Sequence, residues 1–352
     1  MDQDVYQEEL LENKNIIQVE EIIEGSNINY ELISKQKQRK WGGALAFNKK
    51  GNLLAAASKN DVKIWEFKNG QITNPQFLKG NQVIRIIKFG LQSNFLVAGG
   101  SDETMLVWEY QKNTWKINTQ LVGHKGRVSA FIISKKDDSI ISSSEDGTIK
   151  IWVTQGENNG WKCQETLKCM TGQIYSVVEN SKSDLLASCS ANKIITFWRQ
   201  QRISTNNQLQ WKKFQHIRNE DYGTKICFID HDKLLNLQYQ FILLLLLKYL
   251  NILSNLQHGN LLNKIILGQG NYDFHYFQSI YSDISRLLIV RHKYRIYFIK
   301  MDDNEEFRIQ QIIPFSTNWN FAALSSDEKY FITWDFQNQE FQVRQKNDII
   351  HI

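Results

Sequence analysis

Seven histidines and four cysteines are the side chains of this 352-residue chain best suited to catalysis or metal binding. Cys163, Cys169, Cys189 and Cys227 form no CxxC pair, and no histidine follows them at zinc-finger spacing. That pattern predicts free, buried thiols in a reducing compartment. His231 and Asp232 adjoin in the segment IDHDKLL, which reads as a turn, so the histidine is expected to face solvent or cap the turn. His258 and His275 have no partner in the local pattern. The GxSxG, HExxH, P-loop and GxGxxG motifs are all absent. The sequence therefore predicts no enzyme, no cofactor and no metal site.

The elements that would position any such residue are far more legible. Trp65, Trp108, Trp152 and Trp198 recur at intervals of 43, 44 and 46 residues. Each closes a run of small residues, a polar turn and alternating apolar positions: AAASKNDVKIW, VAGGSDETMLVW, SSSEDGTIKIW and ASCSANKIITFW. A period in the low-to-mid forties ending in Trp predicts a radial array of four-stranded blades. In the third repeat strands are expected at Arg127–Ser134, Ser139–Ser144, Thr148–Val153 and Trp161–Leu167, with Glu145-Asp146-Gly147 as a tight turn. After Trp198 the signature fades. Degenerate repeats are read at Tyr222–Leu237, Tyr276–Ile299 and Asn318–Val343, with Trp334-Asp335 on a second strand. The spacing from Trp198 to Phe298 exceeds two periods, and the surplus falls on a leucine-rich stretch, read as an apolar insertion near 239–258.

Length and composition agree with one large repeat domain. Hydrophobic residues make up 42% and charged residues 22%, as in an ordinary globular chain. The apolar run Phe241–Leu247 is much shorter than the roughly 20 residues of a spanning helix, so a buried strand or an apolar insertion is expected there and a membrane is not. The acidic start without an apolar stretch is not expected to be a signal peptide. Net charge is +5, but residues 1–25 hold eight acids against Lys14 alone. Residues 1–27 are read as an acidic arm, partly helical or disordered, and 28–352 as the repeat domain.

These repeats resemble the WD-repeat (WD40) family of β-propellers, which pairs a Gly-His dipeptide with a later Trp-Asp-like end. The resemblance implies an all-β, seven-bladed propeller of four-stranded antiparallel blades, with six or eight as alternatives. It also implies ring closure by an N-terminal strand, placed at Asn29–Lys37. It implies a structural tetrad at His124, Ser142, Asp146 and Trp152, which is glue and not a catalytic triad. Only the third repeat has Gly-His; the second has Gly80-Asn81 nearby, Asn60 and Asn192 stand where the first and fourth would have Asp, and none of the four ends in Trp-Asp.

Family members typically bind peptides or proteins on one rim. Carried over residue by residue, that points to Trp41, Arg85, Arg127, Glu145 and Tyr175. Trp115, Trp161 and Trp211 each precede a lysine on an outer strand, where packing against the neighbouring strand is expected. Those strands, with LLASCS and FWRQ at Leu185–Ser190 and Phe197–Gln200, are also similar to the WD-repeat scaffold of cytosolic iron–sulfur protein assembly. The main expectation is a cytoplasmic (or nuclear) scaffold, monomeric within a hetero-complex, binding proteins or peptides. The alternatives are the iron–sulfur scaffold, a G-protein β-like subunit with an N-terminal helix, and a lipid or nucleic-acid platform. The last ranks low, because the bases are scattered apart from Lys35–Lys40.

Overall fold

The computed structural model describes residues 21–23, 26–38, 43–91, 94–134, 138–155, 160–169, 172–203, 209–218, 223–229, 233–239, 245–251, 279–304, 306–317 and 319–347. Among them every regular element is a strand. Two come first, β1 (Glu21–Ile22) and β2 (Asn29–Lys37). The first blade holds β3 (Leu45–Phe47), β4 (Leu53–Ser58), β5 (Asp61–Lys68) and β6 (Gln71–Leu78). The second holds β7 (Ile84–Phe89), β8 (Phe95–Gly100), β9 (Thr104–Gln111) and β10 (Thr114–Val122). The third is β11 (Val128–Ile133), β12 (Ser139–Ser144), β13 (Thr148–Gln155) and β14 (Gly160–Lys168). The fourth is β15 (Ile174–Glu179), β16 (Leu185–Ser190), β17 (Ile194–Arg202) and β18 (Leu209–Arg218).

A three-stranded sheet follows, β19 (Gly223–Phe228), β20 (Lys233–Tyr239) and β21 (Leu245–Asn251). The next sheet is β22 (Ile280–Ser282), β23 (Leu287–His292), β24 (Arg295–Met301) and β25 (Phe307–Pro314), with β1 added on its outer edge. The last is β26 (Asn320–Leu324), β27 (Tyr330–Asp335) and β28 (Glu340–Asn347), completed by β2. All pairings are antiparallel, so each sheet is a meander of hairpins. Among the described residues six sheets have the full four strands of a blade and one has three, so the expected seven complete blades are not all present.

Burial explains the small residues before each turn. The second strands β8, β16, β23 and β27 are buried at every position, and β4 and β12 at all but their first. Such a strand packs on both faces, so runs like Leu54–Ala57 and Ser142–Ser144 keep the adjoining sheets close. Hydrophobic clusters bridge successive sheets. One joins Ala55, Ile64 and Leu78 of the first blade to Ile87, Leu96 and Trp108 of the second. Another joins Trp65 and Phe67 of the first blade to Ile332, Trp334 and Phe341 of the last, which closes the ring.

Closure is made by the strand the sequence singles out. β2 pairs with β28 from Asn29↔Asn347 to Lys37↔Glu340. Its anchor is Tyr30, fully buried, stacked on Phe298 at 5.0 Å and near Phe331 at 5.9 Å. The Tyr30 hydroxyl donates to the Glu328 carbonyl at 2.8 Å, and its backbone exchanges two bonds with the Gln311 amide.

Two further segments are strands. The end of the acidic arm, Glu21–Ile22, is a strand on β25. An unpaired sheet edge offers N–H and C=O groups to any extended segment, and the chain supplies one of its own. Part of the leucine-rich stretch, Leu245–Asn251, pairs along its whole length with β20 and so takes the place of a third strand.

Candidate functional site

The third blade carries the tetrad, and its geometry follows from one turn. Asp146-Gly147 links β12 to β13, with Gly147 at φ +79°, a conformation that glycine adopts without strain. The turn aims the Asp146 carboxylate at three donors: Lys125 N–H at 2.8 Å, Thr148 N–H at 2.8 Å and the Thr148 hydroxyl at 2.6 Å. The remaining partner is His124 Nδ1, 3.0 Å from the second carboxylate oxygen. Since a carboxylate only accepts, Nδ1 carries the proton and Nε2 accepts from the Ser142 hydroxyl at 2.8 Å. Ser142 Oγ in turn accepts the Trp152 indole N–H at 2.9 Å. The relay ties four consecutive parts of the blade together: the loop before β11, β12, the turn and β13.

The electrostatics fit a static role. Burial lowers the His124 imidazole below its usual value, and the Asp146 hydrogen bond and charge offset only part of that. Burial alone would raise Asp146, but the bonds from Thr148, Lys125 and His124 outweigh it and hold the carboxyl at about 2. The serine is wholly buried and already committed to two neighbours, so no substrate reaches it. Sequence reasoning missed Thr148, which bonds Asp146 twice; Asp-Gly-Thr at the turn is the signal that would have found it.

The other repeats vary this device. In the second, Asp102 accepts from Thr104 N–H at 2.7 Å and from its hydroxyl at 2.9 Å. Buried Gln82 bridges Asp102 N–H and the Thr104 carbonyl in the absence of a histidine. In the fourth, Ser188 lies 3.6 Å from Cys169 Sγ. The Trp198 indole N–H is buried with no hydrogen-bond partner among the described residues. Trp65 and Trp108 are buried in the clusters between blades, as the repeat-closing residues should be. Trp161 packs on Phe95 of the preceding blade at 5.6 Å, while Trp115 meets Phe89 and Tyr110. Trp211 is buried in the cluster of Trp198 and Leu186.

The rim residues fall into two groups. Arg127 Nε and Glu145 form an ion pair at 3.4 Å, and the Glu145 N–H also donates to the Arg127 carbonyl at 3.0 Å. They border a shallow recess of about 470 Å³ with Asp102, Glu103 and Gly126, between the second and third blades. Arg85 and Tyr175 instead share one structural position with Ser129. Each is the extra residue of a β-bulge on a first strand: Arg85 between Ile84 and Ile86, Tyr175 between Ile174 and Ser176, and Ser129 between Val128 and Ala130. A bulge re-aims the side chain it carries. Arg85 lines a cavity formed by the first strands β3, β7, β22 and β26, rather than the recess of Arg127. Gly100, at φ +129°, makes room for it, because a Cβ there would lie 2.8 Å from the Arg85 Cβ. Trp41, His231, His258 and His275 lie outside the described residues.

The cysteines are free, but unequally placed: Cys189 and Cys227 are buried, Cys169 half-buried and Cys163 exposed. Cys163 sits on the outer strand β14, which faces solvent. Burial pushes the Cys189 and Cys227 thiols up to about 12, which leaves them unreactive. Among the described residues no group of three or more His, Cys, Asp or Glu is placed to hold a metal ion.

The family model described as "WD domain, G-beta repeat" matches residues 115–153 and 161–199. Both segments begin on an outer strand and end on the third strand of the next blade, the one-strand offset that lets β2 close the ring. The two matched segments are WD40 repeats, carried by a β-propeller fold. A stretch of 115 residues is 33% identical to "Probable coatomer subunit beta'" of Schizosaccharomyces pombe, covering 32% of this chain and 14% of that one. Another of 133 residues is 31% identical to "Protein tipD" of Dictyostelium discoideum, covering 35% and 21%. The chain thus spans less than a quarter of either curated relative. A chain of the "Crystal Structure of Mitotic Checkpoint Complex" superposes with a TM-score of 0.68 at 14% identity, over 95% of this chain and 99% of that one. At that identity the likeness speaks for the fold alone.

Proposed function

We propose that this propeller is a non-enzymatic scaffold that binds a protein or peptide at the rim between its second and third blades. The observation that carries the reading is the recess beside Arg127 and Glu145. An exposed arginine, held in place by a carboxylate across a rigid turn, borders a concave polar surface. Arginine is a frequent anchor in protein interfaces, and loops on a rigid frame are where binding residues gather. The tetrad next to it fixes the turn that presents Glu145, so the surface is preorganised. The name of a coatomer subunit fits a propeller that works inside a larger assembly.

The same reading takes the three-stranded sheet β19–β21 as a seventh blade, since clusters join it to both neighbours: Ile226 and Leu234 to the fourth blade, Cys227 and Ile229 to the next sheet. The test is co-purification of the tagged chain from its native cells, beside Arg127→Glu and Glu145→Lys variants, with mass spectrometry of the bound proteins. A discrete set lost in both single variants and regained in the charge-swapped double variant supports rim binding through this pair. Recovery of the same set with every variant overturns it.

A further inference from the structure

A cavity of about 380 Å³ lies among the first strands β3, β7, β22 and β26, and its composition is lopsided. Most of its described lining residues are apolar, Phe47, Phe89 and Leu324 among them, and none is acidic, while polar atoms supply about half of the surface they expose. Two cations enter it, Arg85 and Lys88, both from β7. Lys88 is half-buried where it lines the cavity, and desolvation lowers its ammonium to about 8. At neutral pH it is therefore still mostly charged. No ion pair to Lys88 occurs among the described residues, and no carboxylate contributes to its shift. The Ser279 hydroxyl, also on the wall, is buried with no hydrogen-bond partner among the described residues.

The fold does not require a cation at this place. Register aligns Lys88, opposite Val97, with Ala46 opposite Ala55, Ile132 opposite Ile141 and Val178 opposite Ala187. Three other blades thus solve the same packing problem with apolar residues. A half-buried ammonium without a counter-charge still loses part of its hydration, and an anion in the cavity would offset that cost. Bare phosphate would leave the aromatic and aliphatic walls without a partner, whereas an anionic head on an apolar body satisfies both halves of the lining.

We propose that this axial cavity is a binding site for a small organic anion, a carboxylate or phosphate monoester with an apolar body, held at its head by Arg85, Lys88 and the Ser279 hydroxyl. The site is distinct from the rim recess, whose lining contains neither cation of the cavity.

Titration calorimetry on the full-length protein tests it with four probes: 2-naphthoate, 2-naphthyl phosphate, the neutral 2-naphthamide and inorganic phosphate. The expected result is one-site binding of at least one naphthyl anion, roughly tenfold or more tighter than naphthamide and inorganic phosphate. The preferred anion tells carboxylate from phosphate. Lys88→Met, and Lys88→Ile with the third blade's own residue, should each weaken binding by about tenfold or more while the thermal midpoint stays level or rises. Naphthamide or inorganic phosphate binding as tightly as the anions overturns the proposal. So does undiminished affinity in a folded Lys88 variant, or no saturable binding up to about 10 mM.

Discussion

Ser142 is the residue on which the third blade's relay turns, because it is the shared partner of two buried groups, His124 Nε2 and the Trp152 indole. Ser142→Ala leaves both without a partner, and each buried orphan costs about 1–3 kcal/mol. The variant is expected to lose roughly 2–4 kcal/mol in a denaturant titration, with much less than additive loss when combined with Trp152→Phe. The two tryptophans at equivalent positions should behave differently. Trp152→Phe removes a satisfied bond, whereas Trp198→Phe removes an N–H that has no partner among the described residues. The first is expected to destabilise by about 1–3 kcal/mol more than the second, and equal effects would show that the relay adds nothing. Acid sensitivity follows from the same residues. The unfolded chain protonates histidine near the usual 6.5 while folded His124 resists, so its contribution is full above that pH and declines below it. Asp146, held at about 2 against the usual 3.8, contributes above 3.8 and loses its contribution as pH falls to about 2. The stability gap between the native protein and Asp146→Asn should therefore narrow across that second window, as followed by circular dichroism. The resemblance to the WD-repeat family implied His124, Ser142, Asp146 and Trp152, and hydrogen bonds join these four side chains. Gln82 was not legible in the sequence, because its role depends on a three-dimensional substitution of amide for imidazole that leaves no repeat signal.

Among the elements, β2 carries the most consequence for its length. The sequence placed it correctly because its position is dictated from outside: a ring must end on a strand, and Asn29–Lys37 is the long alternating segment next before the first repeat. Most third-blade strand ends were legible to within a residue or two, since turns and alternation mark them. β1 and β21 were not. A two-residue strand has no periodicity to read, and a leucine run reads equally well as insertion or as buried strand. The bulges on β7, β11 and β15 were also invisible, and with them the turning of Arg85 into the axial cavity rather than toward Arg127. Tyr30 gives the closing strand its energetic weight. Tyr30→Ala empties a fully enclosed aromatic site and is expected to cost about 3–5 kcal/mol. Leu32→Ala on the same strand, 40% exposed, should cost well under about 1 kcal/mol. Removing residues 1–37 deletes both β1 and β2 and leaves the edges of β25 and β28 open. Such edges template pairing with other chains. The truncated protein is expected to elute as a concentration-dependent oligomer in size-exclusion chromatography with light scattering, and a monodisperse monomer would show that the ring does not depend on its closing strand.

On the scale of the whole molecule the charge is split between an acidic start and a basic remainder. Residues 1–20 hold six acids, Asp2, Asp4, Glu8, Glu9, Glu12 and Glu20, against Lys14, so their removal takes the net charge from +5 to +10. The deletion spares β1 and β2, and an unchanged thermal midpoint shows that the closed ring is intact. Any change in behaviour then reports electrostatics and not folding. Exposed charges act over about one Debye length, roughly 8 Å at physiological salt, so the acidic segment screens the propeller's bases only if it stays close to them. If it does, the truncated protein should bind heparin to a distinctly higher salt concentration than the full chain, with an unchanged thermal midpoint. If the segment extends into solvent beyond that length, the two proteins should elute nearly together despite the difference in net charge. Bringing free polyglutamate to the truncated protein separates the cases further. Restored early elution would show that the basic body attracts any acidic chain, and that the protein's own arm competes with acidic partners for it.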